Sequence, residues 1–426
     1  MRSVISIFLL LFTTLLYSQT SSHSNKKLKI DSLLNESHQR GFFNGNVLVA
    51  IDGQIIYQNE IGYARADKSQ PLNREHIFKI GSIAKEFDGV AIMLLNEKKK
   101  LSLDNTVSDY FPALPGWSKK VTIKDLLQYT SGLPSFNNQK IRTDEQVWNH
   151  LKNLDSLEFE PGTGYKYNNL NTFLRKRIVE KVSGQSFSEF TQENLLDAAG
   201  IKNSIIDPEN SAPGMAQAFD VEFVPDNYPP YMSGWVALDI QDMSKWIESL
   251  HSGEILRQES LIKLLDSYKN NQSTLGSSDF QNGNLHYHYH HGQSGNFEAS
   301  SYYNAKEKFT VIFLTNQKGN NVGGLTNAVD AILRGEKFSI PKKSIELSLR
   351  SKIHHHGYEA GMEFYNHIRK NEFDIYDFKN EEKELLETAE YLAQNEYTSE
   401  AIKLLNFISD KFPDSDKATA QLKELL

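Results

Sequence analysis

The chain has 426 residues, 39% hydrophobic and 23% charged, so it is long enough for more than one domain and too apolar to be disordered. Its net charge of −8 argues against the broad basic face that nucleic-acid binding needs. It contains no cysteine, which excludes disulfides, thiolate metal sites and a lipid-modified cysteine.

The N-terminus has the pattern of a secretory signal peptide over residues 1–19. Arg2 precedes an apolar stretch at residues 4–16, and small or polar residues follow it. This stretch is shorter than the roughly 20 residues that span a bilayer, although a short membrane anchor is the alternative. We therefore expect an exported protein, periplasmic or secreted, with no integral membrane segment after signal cleavage.

Two distant regions have the composition of β-strands. Residues 46–63 contain two β-branched runs around Asp52-Gly53, a dipeptide typical of a two-residue hairpin loop. Residues 286–316 contain three further strand-like runs, the last after a turn at 305–308. Strands near both ends of a 300-residue stretch, with helices between them, predict an α+β fold with one antiparallel sheet closed by the two ends of the domain.

The region between these strands is predicted to be helical. Apolar residues recur at helical spacing after Ser82, and Thr122 to Asp125 resembles a capping box that opens a short helix ending by Gly132. Leu174, Ile178 and Val182 share one face of another helix, which Gly184 should end. Residues 204–233 are rich in proline and are predicted to be irregular.

A domain boundary is predicted near Pro341, between a larger domain at residues 25–340 and a helical region at 345–426. Ala401, Leu405, Ile408 and Pro413 have the spacing of one tetratricopeptide unit. Such units are stable by stacking, so the region is either a module that binds a protein partner or a helical appendage packed on the larger domain. His354, His355 and His356, at a predicted helix start, are expected to be a solvated run.

Ser82 and Lys85 form the first candidate catalytic motif. Gly81-Ser82 follows an apolar stretch and opens a helix, so the serine lies beside free backbone N–H groups at the positive end of the helix dipole. Lys85, three residues on, lies on the same helical face, where desolvation would lower its pKa and let it accept a proton. The same Ser-x-x-Lys spacing also fits a capping serine and a solvated lysine.

Two further motifs follow along the chain. Tyr167-Asn168-Asn169 lies between a Pro-Gly loop and a helix, where a tyrosine near a cationic lysine can act as a general base. A buried structural tyrosine is the alternative. His290-His291-Gly292 lies on a predicted strand, and glycine within a strand often marks the close approach of a ligand or another backbone.

The ordered set of Ser82-x-x-Lys85, Tyr167-x-Asn169 and His290-x-Gly292 resembles the serine β-lactamase-related and penicillin-binding-protein family, closest to its class C and D-alanyl-D-alanine carboxypeptidase branch. The resemblance covers about residues 43–320. It implies an antiparallel sheet flanked by helices with an inserted helical subdomain. It also implies a serine hydrolase that needs no cofactor and acts on a small-molecule or peptide substrate.

The resemblance implies a role for each motif residue. Ser82 would be acylated, while Lys85 and Tyr167 would relay its proton. Asn169 would bind a substrate amide, and the backbone N–H groups of Ser82 and Gln293 would form the oxyanion hole. His290 and Gly292 belong to the strand along which the substrate would lie, although a one-residue slip to His291 is open.

Three positions differ from the residues that are common in the family. Tyr129 stands where histidine is common, and Asp88 stands where threonine is common, which adds a negative charge one turn from Lys85. His290 stands where many β-lactamases have lysine, and a mostly neutral histidine should hold a substrate carboxylate more weakly. We therefore expect poor hydrolysis of common β-lactams and better hydrolysis of esters or D-amino-acid amides.

Two other functions fit parts of the sequence. His286, His288 and His290 alternate along one strand face and could bind zinc, but no carboxylate or cysteine is near in sequence, so no metal site is predicted. A non-catalytic binding or regulatory protein that serves its helical tail is the alternative to an enzyme. The presence of Ser82, Lys85, Tyr167 and Asn169 together favours the enzyme.

Overall fold

The computed structural model describes residues 24–135, 141–209, 212–226, 235–319 and 321–426. The predicted signal peptide at 1–19 lies outside the described residues. Within the described ranges, no helix is both long and apolar enough to cross a membrane.

The strands form two sheets. They are β1 (Gly45–Ile51), β2 (Gln54–Ile61), β3 (Phe78–Lys79), β4 (Ser204–Ile206), β5 (Val236–Leu238), β6 (Ser277–Gln281), β7 (Asn284–Ser294), β8 (Phe297–Asn304) and β9 (Phe309–Thr315). In the described part of the chain, six of them form an antiparallel sheet in the order β2-β1-β9-β8-β7-β6. The three others form a small sheet in the order β3-β5-β4.

The large sheet confirms the predicted hairpin and the predicted pairing of distant strands. Asp52 and Gly53 both have positive φ, 49° and 74°, and they join β1 to β2 with Ile51 opposite Gln54. β1 also pairs with β9 along its whole length, from Gly45–Thr315 to Ile51–Phe309. The two ends of the domain therefore meet in the middle of one sheet.

The helices surround this sheet and continue beyond it. They are α1 (residues 24–39), α2 (Lys85–Glu97), α3 (Val107–Tyr110), α4 (Ile123–Gln128), α5 (Asp144–Lys152), α6 (Asn169–Ser183), α7 (Phe187–Thr191), α8 (Ile240–Ser252), α9 (Gln258–Leu265), α10 (Val322–Arg334), α11 (Ile345–Asn371), α12 (Glu381–Gln394), α13 (Thr398–Lys411) and α14 (Asp416–Leu425). Gly357 interrupts α11 with non-helical dihedral angles. This mixture of helices and antiparallel strands confirms the predicted α+β fold class.

Local signals in the sequence account for the helix ends near the site. Thr122 and Asp125 form the predicted capping box of α4. That helix ends at Gln128, before Gly132 as predicted, because Tyr129 adopts the left-handed conformation. Gly184 ends α6 in the same conformation, as predicted from its position after the last apolar residue.

Two apolar clusters lie on opposite faces of the large sheet. Helices α1 and α10 cover one face, where Leu33 and Val329 pack with Val47 and Phe313. The larger cluster lies on the other face and contains α2, α6 and α8. Ser82 lies at the start of the segment that leads into α2, so this buried helix fixes the position of the first motif.

The C-terminal helices α11 to α14 bury their own apolar cluster, which includes Leu349, Leu385 and Leu405. Successive helices of this region pack on one another. The resemblance to a tetratricopeptide unit stays a prediction. The three histidines lie inside α11. His356 is exposed, whereas His354 and His355 are only partly exposed, and His355 and His356 bond to Asp220 and Glu222 of the segment at 212–226.

Candidate active site

Ser82 lies in a tight turn between a strand and a helix. The strand is β3, and Gly81–Ala84 form a single 3₁₀ turn that runs directly into α2. Gly81 has a φ of +56°, which favours glycine. Gly81, Ile83 and Ala84 are buried, whereas Ser82 is only partly buried. The serine therefore keeps access to solvent on a rigid base.

Lys85 and Tyr167 both reach the Ser82 hydroxyl. Lys85 Nζ donates a hydrogen bond to Ser82 Oγ at 3.2 Å, and the Tyr167 hydroxyl donates to the same oxygen at 2.7 Å. Lys85 Nζ also lies 5.1 Å from the centre of the Tyr167 ring. Folding thus brings together a hydroxyl, an amine and a phenol from two stretches that are 85 residues apart.

Asn168 holds the loop that carries Tyr167. Its side chain caps α6 by accepting hydrogen bonds from the backbone N–H groups of Leu170 and Asn171, and it donates to the Leu133 carbonyl at 2.8 Å. Asn169 is the first residue of α6 and is partly buried. The middle residue of this motif therefore positions the tyrosine, a role that the sequence analysis did not assign.

Burial shifts the pKa values of the two proton-handling groups in opposite directions. Desolvation lowers the pKa of Lys85, and the nearby Arg175 cation lowers it further, while Tyr129 and Asp88 oppose the shift. Desolvation raises the pKa of Tyr167 to about 12, against the effects of its hydrogen bond with Ser82 and of Arg175. Near neutral pH the phenol therefore keeps its proton, and the amine is the group shifted towards its neutral form.

Strand β7 packs directly against the turn that carries Ser82. A Cβ atom added at Gly292 would lie 2.0 Å from the Ile80 carbonyl oxygen and 2.8 Å from the Ser82 nitrogen. A Cβ atom added at Gly81 would lie 2.2 Å from the Gln293 nitrogen. Only glycine fits at either position, and the backbone amides of Ser82 and Gln293 meet at this junction.

β7 extends beyond its pairing with β6 at the end that lies near this junction. The β6–β7 pairing ends at Ser277–Tyr289, whereas β7 continues to Ser294 alongside β8. In the described part of the chain, no strand continues β6 beside His290–Ser294. The binding of an extended substrate along this part of β7, through main-chain hydrogen bonds, stays a prediction.

His290 is buried and bonds to an acidic residue that the sequence analysis missed. Its Nδ1 lies 2.8 Å from Glu86 Oε1, on the helix that follows Ser82. Burial, together with the charges of Lys85 and His291, lowers the pKa of His290 to about 3. The neighbouring His291 is only partly buried and lies 2.8 Å from Glu298. His290 is therefore neutral near neutral pH, and it provides no positive charge on this strand.

Glu86 joins three elements behind the site. Its other oxygen accepts a hydrogen bond from Trp246 of α8 at 2.7 Å, and burial raises its pKa to about 7, against the effect of His288. No sequence signal marked Glu86, because its partners lie 160 and 204 residues away. The network connects α2, α8 and β7, and so fixes β7 relative to the serine turn.

The three histidines of the zinc alternative do not form one group of metal ligands. His286 lies 3.0 Å from Asp279 at a less buried position. Within the described residues, Glu86, His288 and His290 instead bring one donor atom each within 4.8 Å. These donors also have protein partners: Trp246 on Glu86, and the Leu275 carbonyl and His251 on His288. The cluster is therefore satisfied as a hydrogen-bonded network.

Asp88 is neutralised by a buried arginine. Arg175 Nε forms an ion pair with Asp88, and the same guanidinium bonds to the Leu126 carbonyl and to Thr172. Burial raises the pKa of Asp88, and Arg175 opposes this. The Arg175 cation also lies 5.4 Å from the centre of the Tyr129 ring. The unusual aspartate and tyrosine of the sequence therefore belong to one buried cluster beneath Lys85.

The fold and the site together define a class of protein. In this class a serine at a helix start, a lysine one turn later and a tyrosine before a second helix meet beside an edge of an antiparallel sheet. The sequence profile of the beta-lactamase family matches residues 30–335, which is more than half of the chain. The chain therefore belongs to the beta-lactamase family, and the predicted family resemblance is confirmed.

Individual relatives agree with this assignment. A penicillin-binding protein of Bacillus subtilis strain 168 is 34% identical over 192 residues, so that the match spans 42% of this chain and 42% of the relative. A class C beta-lactamase has a TM-score of 0.64 at 20% identity, over 74% of this chain and 98% of its own. A D-amino acid amidase of Ochrobactrum anthropi SV3 has a TM-score of 0.62 at 18% identity, over 73% of this chain and 99% of its own. At these identities the two structures show the fold alone.

Proposed function

We propose that this protein is a serine hydrolase that works through an acyl-enzyme on Ser82. The observation that carries the proposal is the double contact on one oxygen, since Lys85 Nζ and the Tyr167 hydroxyl lie 3.2 and 2.7 Å from Ser82 Oγ. A serine held by two proton-handling groups is the arrangement that nucleophilic catalysis requires.

In the first half-reaction, Ser82 Oγ forms a bond to the substrate carbonyl carbon while its proton passes to Lys85. The lowered pKa of Lys85 favours the neutral amine that takes this proton. The bond to the leaving group then breaks, and the proton moves from Lys85 through Tyr167 to that group. Water releases the acyl group by the reverse sequence and restores the Ser82 hydroxyl.

The negative charge that develops on the substrate oxygen needs donors, which we assign to the backbone N–H groups of Ser82 and Gln293. The close packing at Gly81 and Gly292 supports this assignment. Loss of one such donor typically costs about 10²–10³ in rate. Asn169 is proposed to bind the amide of the substrate.

Esters and D-amino-acid amides are the proposed substrates, in preference to common β-lactams. The third motif offers no fixed cation for a free carboxylate, because burial and nearby charges lower the pKa of His290 to about 3 and its Nδ1 contacts Glu86. A neutral donor makes a hydrogen bond about half as strong as a charged one.

Mass spectrometry of Ser82 after incubation with p-nitrophenyl esters, D-alanyl peptides, D-amino-acid amides and a penicillin tests the proposal. We expect a covalent acyl adduct on Ser82 with an ester or a D-amino-acid amide. Ser82→Ala should abolish it, whereas Ser339→Ala, which alters an exposed serine with the same Ser-x-x-Lys spacing, should not. No adduct with any substrate would favour the non-catalytic binding protein instead. A penicillin kcat/KM that matches the ester value would contradict the substrate assignment alone.

Export to the periplasm or the medium is part of this proposal and is supported by the pattern at residues 1–19. A protein partner for the C-terminal helices stays a prediction. The proposed chemistry uses the substrate, water and the side chains named above.

A further inference from the structure

A cavity of about 160 Å³ lies where the C-terminal region joins the catalytic domain. Its walls come from the 220–226 loop, from Asn296 in the turn between β7 and β8, from Lys318 and from α11. The catalytic groups Ser82, Lys85 and Tyr167 do not line it. The cavity is therefore a separate site, although Asn296 lies only four residues after Gly292.

Hydrogen bonds hold the acidic wall of the cavity in place. Asp220 Oδ2 accepts bonds from Ser351 at 2.8 Å and from His355 at 2.6 Å. Asp220 Oδ1 accepts two backbone N–H groups of its own loop, and Asp226 accepts the Asn296 N–H at 2.7 Å. Both carboxylates therefore serve the architecture of the cavity.

The basic side chains of the cavity have fewer hydrogen-bond and ion-pair partners. The Arg350 guanidinium bonds to Glu346 at 2.6 Å and lies 4.5 Å from the centre of the Tyr391 ring. Across the described residues, the Lys318 amine makes no hydrogen bond and no ion pair. Burial and the neighbouring Arg350 lower the pKa of Lys318, while Glu346, Glu298 and Asp226 oppose this. Arg350 has a carboxylate partner in Glu346, so an anion that reached the Lys318 amine would offset the desolvation of that amine and its repulsion from Arg350.

We propose that this cavity binds a small organic monocarboxylate, with its oxygens on the Lys318 amine and the Arg350 guanidinium. Its volume resembles that of cavities that hold a benzene-sized molecule, roughly 150 Å³. Val221, Val224 and Leu347 also line it and provide apolar contacts for a short hydrocarbon chain. Asp220 and Asp226 disfavour a dianion such as phosphate, because their charges would repel it.

Titration calorimetry of the full chain with propionate, against its uncharged isostere propionamide, tests the proposal. We expect saturable binding of propionate and none of propionamide or inorganic phosphate. Lys318→Gln should weaken propionate binding at least about tenfold. Lys318→Arg should retain it, because this variant keeps the charge. Lys306→Gln, at an exposed position outside the cavity, should behave like the native protein.

A carboxylate could also bind at Ser82 as a reaction product. The Lys318 variants distinguish binding in the cavity from binding at Ser82. Propionate binding that survives in Lys318→Gln, or binding of propionamide with equal affinity, would overturn the proposal. Absence of propionate binding, or phosphate binding as tight as that of propionate, would also overturn it. Thermal unfolding of Lys318→Gln checks that the variant folds, and retained binding in Lys318→Arg shows that charge, and not shape alone, decides the result.

Discussion

Two side chains reach the Ser82 hydroxyl, and the protein shifts their pKa values apart. Burial lowers the pKa of Lys85 and raises that of Tyr167 to about 12. A proton acceptor must be unprotonated at the working pH, so the amine is the better base in the free protein and the phenol is the better relay. The pH dependence of acylation should therefore report the titration of Lys85.

Asp88 provides a way to test this assignment of the base. Its negative charge raises the pKa of Lys85, and Arg175 lowers it. Asp88→Asn removes this negative charge but keeps a side-chain oxygen that can accept a hydrogen bond from Arg175. Because the Arg175 cation stays, the pKa of Lys85 should fall. The proposed base must be unprotonated to act, so the acid limb of the kcat/KM profile should move about one unit to lower pH.

The profile is measured with an ester substrate in the native protein, in Asp88→Asn and in Asp104→Asn, which changes an exposed aspartate. The control should leave the limb where it is. Asp88→Asn should also cost about 3 kcal/mol of unfolding free energy, because it leaves a buried arginine without its counter-charge. An acid limb that stays in place or moves to higher pH would mean that Lys85 is not the base.

At the scale of elements, the site depends on the contact between β7 and the 3₁₀ turn at Gly81–Ala84. Glycine at Gly81 and Gly292 lets the two backbones touch, and the Glu86 network ties the same strand to α2 and α8. The two proposed oxyanion donors come from different elements. Their spacing is therefore set by this packing and not by local sequence.

Gly292→Ala tests this packing. Its Cβ would lie 2.0 Å from a backbone oxygen that cannot rotate away, so β7 must move from the serine turn. We expect acylation of Ser82 to slow by about 10²–10³, the typical cost of one misplaced oxyanion donor, and unfolding free energy to fall by about 1–3 kcal/mol. Gly116→Ala is the matched control, since no heavy atom lies within 4 Å of the added Cβ. Native rates in Gly292→Ala would contradict the proposed oxyanion hole.

Local signals allowed much of this arrangement to be predicted from the sequence. Asp52-Gly53 specifies a hairpin, Thr122 and Asp125 specify a helix start, and Gly184 specifies a helix end, because each depends on residues within one turn. The order of the three motifs predicted the family and the fold. The substrate and the catalytic roles stay predictions.

The supporting residues could not be predicted, because they depend on contacts across long stretches of chain. Glu86 has the sequence context of a solvated residue in the first turn of a helix, and only the packing of α8 and β7 buries it. Arg175 lies in a helix whose visible pattern was the apolar face of Leu174 and Ile178. Polar groups that complete a buried network carry no periodic signal, so only the three-dimensional structure identifies them.

At the scale of the whole molecule, α11 joins the C-terminal helices to the region that the beta-lactamase family profile matches, through two acidic residues. Asp220 bonds to Ser351 and His355, and Glu222 pairs with Lys352 and His356. Both acids lie in the segment at 212–226, where Asp226 accepts a hydrogen bond from the Asn296 N–H in the β7–β8 turn. Helix α11 therefore supports a loop that lies close to β7.

Asp220→Asn measures how much this junction contributes to stability. Burial raises the pKa of the Asp220 carboxyl, but its hydrogen bonds outweigh this and lower the pKa from the ordinary 3.8. A carboxyl group whose pKa is lower in the folded state than in the unfolded state stabilises the protein at pH values above its unfolded-state pKa. This stabilisation is lost as the pH falls through the folded-state pKa. Urea unfolding at pH 7 should therefore show a loss of about 1–3 kcal/mol, and this difference should shrink as the pH falls below 3.8. Asp414→Asn, at an exposed position, should cost nothing. An equal loss in both variants, or a difference that grows in acid, would show that the Asp220 junction does not hold the two regions together.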